Sequence, residues 1–141
     1  MAKIRESVVY YNPQLEPGRE ERERITRMKS VFVRMGIRIR NAGPQQALET
    51  VGFLTGVPGF QAAQEPKEEL PVIPQEMLIL RQFSSQRLDQ LLAQLRRAGV
   101  SRIDLKAVVT EQNCGWTLYK LYEELKQEHQ AMTGQKEKEN D

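Results

Sequence analysis

The sequence has few of the side chains on which metal and nucleophile chemistry depends. Among 141 residues there is one cysteine, Cys114, and one histidine, His129. A single cysteine excludes an internal disulfide and indicates a reducing compartment, which we expect to be the cytoplasm. One Cys and one His also supply too few ligands for a typical zinc site. We therefore expect no bound metal and no cofactor.

Long apolar runs and a dominant charge sign are missing as well. No run of about 18 apolar residues is present, so we expect no membrane span. The first six residues lack the apolar stretch of a secretory signal. The 21 basic and 19 acidic side chains nearly cancel, leaving a net charge of +2. Because no segment forms a dense basic stripe, the composition disfavours nucleic acid as the partner.

What is present is one pattern of elements that occurs twice. The first block, residues 1–60, predicts strands over 7–11 and 37–40, a helix between Gly18 and Gly36, and a shorter helix over 45–55. The second block, residues 77–130, predicts strands over 77–80 and 103–106. Its helices are predicted to begin at Ser84 or Ser85 and at Asn113, which are typical cap residues. The pattern indicates a duplicated β-α-β-α plan.

Two segments lie outside this plan. Residues 61–76 contain three prolines and four acids without periodicity, which predicts an extended connector. Residues 131–141 are mostly charged and polar, which predicts a disordered tail. Each half is too small to be comfortable alone, so we expect both to form one globular domain.

The apolar pattern of the strands also predicts their order. The runs at 8–11 and 77–80 are apolar at every position, as strands covered on both faces are. Those at 37–40 and 103–106 carry alternate charges, as edge strands do. We therefore predict an α/β fold with one four-stranded sheet in the order 2-1-3-4. A parallel central pair would give a flavodoxin-like layout, and an antiparallel pair would relate the halves by a pseudo-twofold axis.

Several segments carry a family resemblance. The second-half segments are Met77–Ser84, Leu88–Leu92, Ala98–Thr110 and Trp116–Lys126, and the first-half segments are Arg34–Ile39 and Gly52–Phe60. Together they resemble a bacterial domain-of-unknown-function family of small α/β proteins. The resemblance implies a bacterial cytoplasmic protein, and it brings no activity, substrate or catalytic residue with it.

Candidate ligand contacts follow from the predicted sheet. If all strands were parallel, their carboxyl ends would meet at one rim, where open α/β sheets bind ligands and helix N-termini attract anions. The residues expected there are Tyr11, Asn12, Ser84, Ser85, Thr110, Asn113 and Trp116. The same serine, threonine and asparagine side chains are also what helix capping requires.

These observations favour a non-catalytic binding or regulatory module for a protein partner or a small anion. A first alternative is an enzyme that uses the rim, with Cys114, Glu111 or Tyr11 as the active group. A second is a nucleic-acid accessory protein. The basic residues considered for it are Arg34, Arg38, Arg40, Arg96, Arg97, Arg102 and Lys106. Exposed edge strands also allow a homodimer formed by sheet extension.

Overall fold

The computed structural model of the chain describes residues 6–64 and 69–139. Residues 1–5 of the first half, 65–68 of the predicted connector and 140–141 of the predicted tail lie outside the described residues. The strands are β1 (Ser7–Tyr11), β2 (Arg38–Ala42), β3 (Met77–Arg81) and β4 (Leu105–Val108). The helices are α1 (Arg19–Arg34), α2 (Val51–Thr55), α3 (Ser85–Arg97) and α4 (Leu118–Glu139), with a 3-10 turn at Pro44–Gln46.

All four strands form one sheet in the order β2-β1-β3-β4, which confirms the predicted α/β fold and strand order. Within each half the strands are parallel, β1 with β2 and β3 with β4. The central pair, β1 and β3, is antiparallel, with Val9 opposite Ile79 at its midpoint. Of the two layouts that the sequence left open, the structure therefore has the one with a pseudo-twofold axis.

Helices cover both faces of this sheet and bury two apolar cores. On one face α1 and α3 pack on Val8, Tyr10 and Leu78. On the other face α2 and α4 pack on Val9 and Ile79. Because β1 and β3 have helices above and below them, alternation of apolar and polar residues is absent from these strands, which is why their burial could be predicted.

On the second face of the sheet, the N-termini of α2 and α4 lie next to each other. The backbone N–H groups of Val51 and Gly52, at the start of α2, donate to the carbonyls of Trp116 and Cys114 at 2.9 and 2.8 Å. In return the N–H groups of Leu118 and Tyr119, at the start of α4, donate to the carbonyls of Glu49 and Ala47, each at 2.9 Å. Each helix N-terminus is thus satisfied by the segment that precedes the other helix.

Two matching threonines cap these helices, and they correct two predicted helix starts. Thr50 accepts from the N–H of Phe53, and Thr117 accepts from the N–H of Lys120. The helix predicted over 45–55 is therefore broken, because Thr50 is extended and restarts it. Asn113 was predicted to cap the last helix and does not, because that helix begins five residues beyond it, at Leu118.

Two arginines connect the halves on the other face. Arg24 of α1 binds Glu76, the residue before β3, with nitrogen–oxygen distances of 2.7 and 2.9 Å. Arg87 of α3 binds Glu6, the residue before β1, at 2.7 Å. Each guanidinium also donates to a backbone carbonyl in the other half, Arg24 to Ser101 and Arg87 to Met35. We call these interactions the Arg24 tie and the Arg87 tie. They occupy corresponding places in the two halves.

The edge strands and the last helix differ from their predicted bounds. β2 and β4 begin at Arg38 and Leu105, one and two residues later than predicted, while Ile37 and Ile103 are buried before them. Helix α4 continues to Glu139, where a disordered tail was expected from residue 131. Residues 135–139 are Gln, Lys and Glu, which have high helix propensity, so their polarity does not oppose the helix.

Candidate functional site

A cavity of about 360 Å³ lies between α3 and β4, at the outer side of the second half. Its walls are apolar and come from β3, α3 and the turn that leads into β4. They are formed by Leu78, Leu92, Leu95, Val100 and Ile103. The volume is within the range of pockets that bind small organic molecules.

The charged residues that line this cavity are all cationic. Arg96 stands at the end of α3, Arg102 in the following turn, and Lys106 on β4. Asp104 approaches Arg102 at 3.8 Å, but both side chains are more than half exposed. Solvent therefore screens that contact, and it neutralises little of the positive charge.

Lys106 is the most constrained of these cations. Its Nζ donates to the carbonyl of Ile103. Partial burial lowers the pKa of Lys106, the nearby Arg102 lowers it further, and Asp104 opposes the shift. The protonated form is thus penalised by its surroundings, and an anion placed in the cavity would relieve that penalty.

A hydrogen-bonded cluster fixes the turn beside the cavity. Arg24 is 8% exposed and binds Glu76, Glu21 and both the hydroxyl and the carbonyl of Ser101. The hydroxyl of Tyr10 donates to Glu76 at 2.6 Å, and burial followed by Glu76 raises the pKa of Tyr10. Because Ser101 also lines the cavity, this cluster holds the position of the residues next to Arg102.

A second groove, of about 350 Å³, lies across β4 on the α4 side. Arg102 and Lys106 line both spaces, so the cavity and the groove meet at the outer edge of β4. The remaining lining residues of the groove are Asp104, Leu105, Leu125, Glu128, His129 and Met132. Met132 is 63% exposed, which is high for a large apolar side chain.

The structure does not bring the sequence-predicted ligand residues to one rim. Because β1 and β3 are antiparallel, the carboxyl end of β1 lies at the opposite end of the sheet from that of β3. Tyr11 and Asn12 are therefore separated from Ser84 and Ser85. The single rim was predicted for an all-parallel sheet, and this sheet does not meet that condition.

In the first half these residues have structural partners. The ring of Tyr11 is 1% exposed, and its hydroxyl donates to the carbonyl of Ile73 at 2.9 Å. The side chain of Asn12 accepts from the N–H of Gln14 in a local turn. The enzyme alternative assigned the active group to Tyr11 among others, but its hydroxyl is buried in the core.

In the second half Ser84 caps α3 by accepting from the N–H of Arg87, and Ser85 is exposed in the first turn. Thr110 and Asn113 bind each other, and the Asn113 amide donates to the carbonyl of Val108. These two residues therefore fix the turn after β4.

The segment that holds the remaining candidates packs against α2. Trp116 is partly buried, its carbonyl accepts from Val51, and Lys120 lies 5.1 Å from the centre of its ring. Cys114 precedes α4 by four residues, so it is not at a helix N-terminus. Its sulfur lies 3.2 Å from the carbonyl of Glu111, which is exposed. Neither Trp116 nor Cys114 lines the α3–β4 cavity.

The basic residues that the sequence suggested as one patch are divided by the fold. Strands β2 and β4 are opposite edges of the sheet, so Arg38 and Arg40 lie far from Arg102 and Lys106. Arg40 also donates to the carbonyls at the end of α2 and stacks 5.2 Å from the centre of the Phe53 ring.

Sequence reasoning found the cations of the cavity and missed the cavity itself. Arg96, Arg102 and Lys106 were among the basic residues considered for a nucleic-acid surface. The apolar wall beside them, which includes the half-buried Leu92, was not associated with them. The distance between a helix and a strand leaves no signal in the local pattern, so the space between them could not be predicted.

Among residues 6–64 and 69–139, no group of three or more His, Cys, Asp or Glu side chains is placed to hold a metal ion. Within the same ranges, no helix combines the length and the apolar character that crossing a membrane needs.

The fold and the cavity thus define a three-layer α/β protein with a cationic, apolar-walled pocket. Residues 76–132 match a protein family described as "Domain of unknown function (DUF3783)". This segment begins at Glu76 and includes the lining residues of both the cavity and the groove. No curated protein matches the chain.

Proposed function

We propose that this protein is a non-catalytic binding module and that the α3–β4 cavity takes an organic anion with an apolar part. The single observation that carries the proposal is the pairing of apolar walls with three cations, Arg96, Arg102 and Lys106. An apolar group would be removed from water by the walls, while a carboxylate or phosphate would face the cations.

The electrostatics of the cavity support an anion over a neutral ligand. Lys106 is partly buried beside another cation, and its pKa is lowered for those reasons. A bound anion would interact with the protonated lysine and with both arginines. Because the cavity opens to solvent, these charges select the sign of the ligand more than they add affinity.

The first experiment measures the binding of decanoate, a carboxylate with a flexible apolar chain, by titration calorimetry at low ionic strength. We expect decanoate to bind and decyltrimethylammonium, which has a similar chain and the opposite charge, to bind more weakly. The Arg96→Gln/Arg102→Gln variant should bind decanoate about tenfold more weakly, since two exposed charge contacts of about 0.7 kcal/mol each give that ratio.

The matched control is Arg97→Gln. Arg97 is the neighbour of Arg96 in the last turn of α3, it is exposed, and it does not line the cavity. The proposal requires Arg97→Gln to bind decanoate as the unaltered protein does. Equal losses in the control and the double variant, or equal binding of both ligand charges, would show that the cavity does not select anions.

We also propose that the two halves arose by duplication in a bacterial cytoplasmic protein. The support for duplication is the correspondence of Thr50 with Thr117 and of the Arg24 tie with the Arg87 tie. The support for the compartment is the single cysteine, and that for the source is the family resemblance of the sequence. Expression in bacteria followed by treatment of intact cells with a thiol reagent that does not cross the membrane would test the location, because a cytoplasmic Cys114 should not be labelled.

A further inference from the structure

The outer edge of β4 presents backbone groups that point away from the sheet. The N–H of Val109 donates to the carbonyl of Leu80 at 2.8 Å, so odd-numbered residues of this strand direct their backbone groups toward β3. In a regular strand Lys106 and Val108 then direct theirs outward. The Val108 carbonyl already accepts from Asn113. The outward groups left for an added strand are the N–H and carbonyl of Lys106 and the N–H of Val108.

Open spaces flank this edge on both faces of the sheet. The α3–β4 cavity lies on one side and the α4 groove on the other, and Arg102 and Lys106 line both. Successive side chains of an extended chain point to opposite faces. A strand placed beside β4 would therefore direct alternate side chains into the cavity and into the groove.

The charges that line the cavity and the groove indicate which side chains of an added strand fit on each face. The cavity side has Arg96, Arg102 and Lys106, and no acidic side chain lines it among the described residues. The groove side shares Arg102 and Lys106 with the cavity, but it adds the acidic Asp104 and Glu128 and the apolar Leu125 and Met132. Acidic side chains are therefore complementary to the cavity, and apolar ones to the groove.

A second copy of this chain is the poorer occupant. Two β4 edges placed side by side would bring Lys106 and Arg102 of each copy together, and like charges opposite each other destabilise a strand pair. An inward-facing lysine on an edge strand is a known obstacle to such self-pairing. An acidic partner strand meets no such repulsion.

We infer that β4 is a docking edge for an extended segment of another protein in which acidic and apolar residues alternate. The acidic side chains enter the α3–β4 cavity, the apolar side chains contact Leu125 and Met132, and the backbone pairs with Lys106 and Val108. The inference deepens the proposed function and rests on it, because the anion bound in the cavity is then a side-chain carboxylate of the partner.

The test uses the full chain, labelled with ¹⁵N, and an acetylated, amidated hexapeptide in which Glu alternates with Leu. We expect the peptide to bind and to slow the exchange of the Lys106 and Val108 amide protons with solvent. A peptide of alternating Lys and Leu is the charge control. A third peptide is N-methylated at the amides that would face β4, which removes backbone pairing and keeps the side chains.

Three variants connect the binding to the site. Arg96→Gln/Arg102→Gln should weaken the Glu-Leu peptide about tenfold, and Met132→Gln should weaken it severalfold through the groove. Arg97→Gln is the control and should leave the affinity unchanged. Met132 is exposed, so its replacement is not expected to disturb folding.

The outcomes separate this inference from the proposed function. Tight binding of the Glu-Leu peptide that N-methylation abolishes supports strand addition. If the N-methylated peptide binds equally well, or Lys106 and Val108 are not protected, strand addition is wrong, while decanoate binding still decides the proposed function. If neither decanoate nor the Glu-Leu peptide binds, both proposals are wrong. Solution dimerisation through β4 would also contradict the acidic-partner assignment.

Discussion

The two halves of the molecule repeat one order of elements and differ at their outer sides. In the first half α1 fills the space over the sheet with Met28 and Phe32, both fully buried. In the second half α3 leaves a cavity above β4 with Lys106 at its edge. On the β2 edge, Arg40 instead turns to the end of α2. The first half also has a pocket, of about 490 Å³, but it lies beside the start of α1 at the carboxyl ends of β1 and β2. The α3–β4 cavity lies instead beside the end of α3, so the two halves open at different places.

The Arg24 tie and the Arg87 tie differ in the exposure of their side chains. The Arg24 side chain is 10% exposed and that of its partner Glu76 is 25% exposed. The Arg87 side chain is 34% exposed and that of Glu6 is 19% exposed. Only the Arg24 tie includes a tyrosine hydroxyl, from Tyr10. The arginine of the tie beside the cavity is thus the more deeply buried of the two arginines.

A large effect is expected from breaking the Arg24 tie. Arg24→Ala leaves the carboxylate of Glu76 without its cation, and we expect the free energy of unfolding to fall by about 3 kcal/mol. Arg87→Ala should lower it by about 1 kcal/mol, because water can replace more of its contacts. Urea unfolding of both variants measures the difference. Equal losses would contradict the unequal burial of the two ties.

An effect of at least the same size is expected in α1, and it is compared with a substitution in α3. Phe32→Ala should lower the free energy of unfolding by about 3–5 kcal/mol, since it empties a filled core position. Leu92→Ala, at the cavity wall of α3, should cost only about 1 kcal/mol, because its side chain is half-buried. Thermal or urea unfolding tests the pair. A Leu92 loss as large as that of Phe32 would indicate that the cavity is closed in solution.

A smaller effect concerns pH and Lys106. Its pKa is lower in the folded protein than in the unfolded chain, so between those two values the unfolded chain binds more protons. Stability contributed through this residue therefore rises with pH toward about 10.4, the ordinary pKa of lysine. The charged or titratable groups that face it are Arg96, Arg102, Asp104, Glu128 and His129.

Lys106→Gln isolates that contribution, because the tyrosines and other groups titrate in both proteins. We expect the difference in the free energy of unfolding, unaltered protein minus variant, to increase as the pH rises. Urea unfolding at a series of alkaline pH values provides the measurement. Stability curves that run parallel would show that the cavity does not penalise the protonated lysine.

The fold was predictable where burial alone decides it. The apolar runs at 7–11 and 77–80 require cover on both faces, and this placed β1 and β3 at the centre of the sheet. Their relative direction was not predictable, because a 16-residue connector can return the chain to either end of a short strand. The helix starts at Thr50 and Thr117 depend on contacts between the halves, which no local pattern contains.

The site was predictable only in part, for a related reason. The cations near β4 stand out in the sequence, but their pairing with apolar walls depends on the spacing of α3 and β4. Ser84, Thr110 and Asn113 have the residue types of ligand contacts and are used for caps and turns. Side-chain type therefore predicted the local hydrogen bonds, while the cavity follows from packing across the sheet.

The most direct test of the difference between the halves is an NMR titration of the ¹⁵N-labelled protein with decanoate. We expect amide shift changes at Arg96, Arg102 and Lys106, and none at Phe32 or Arg40 in the corresponding part of the first half. Shift changes of equal size in both halves would contradict a site confined to the second half. The absence of any shift change up to about 1 mM decanoate would also contradict it, because the free energy of binding would then be weaker than about 4.1 kcal/mol.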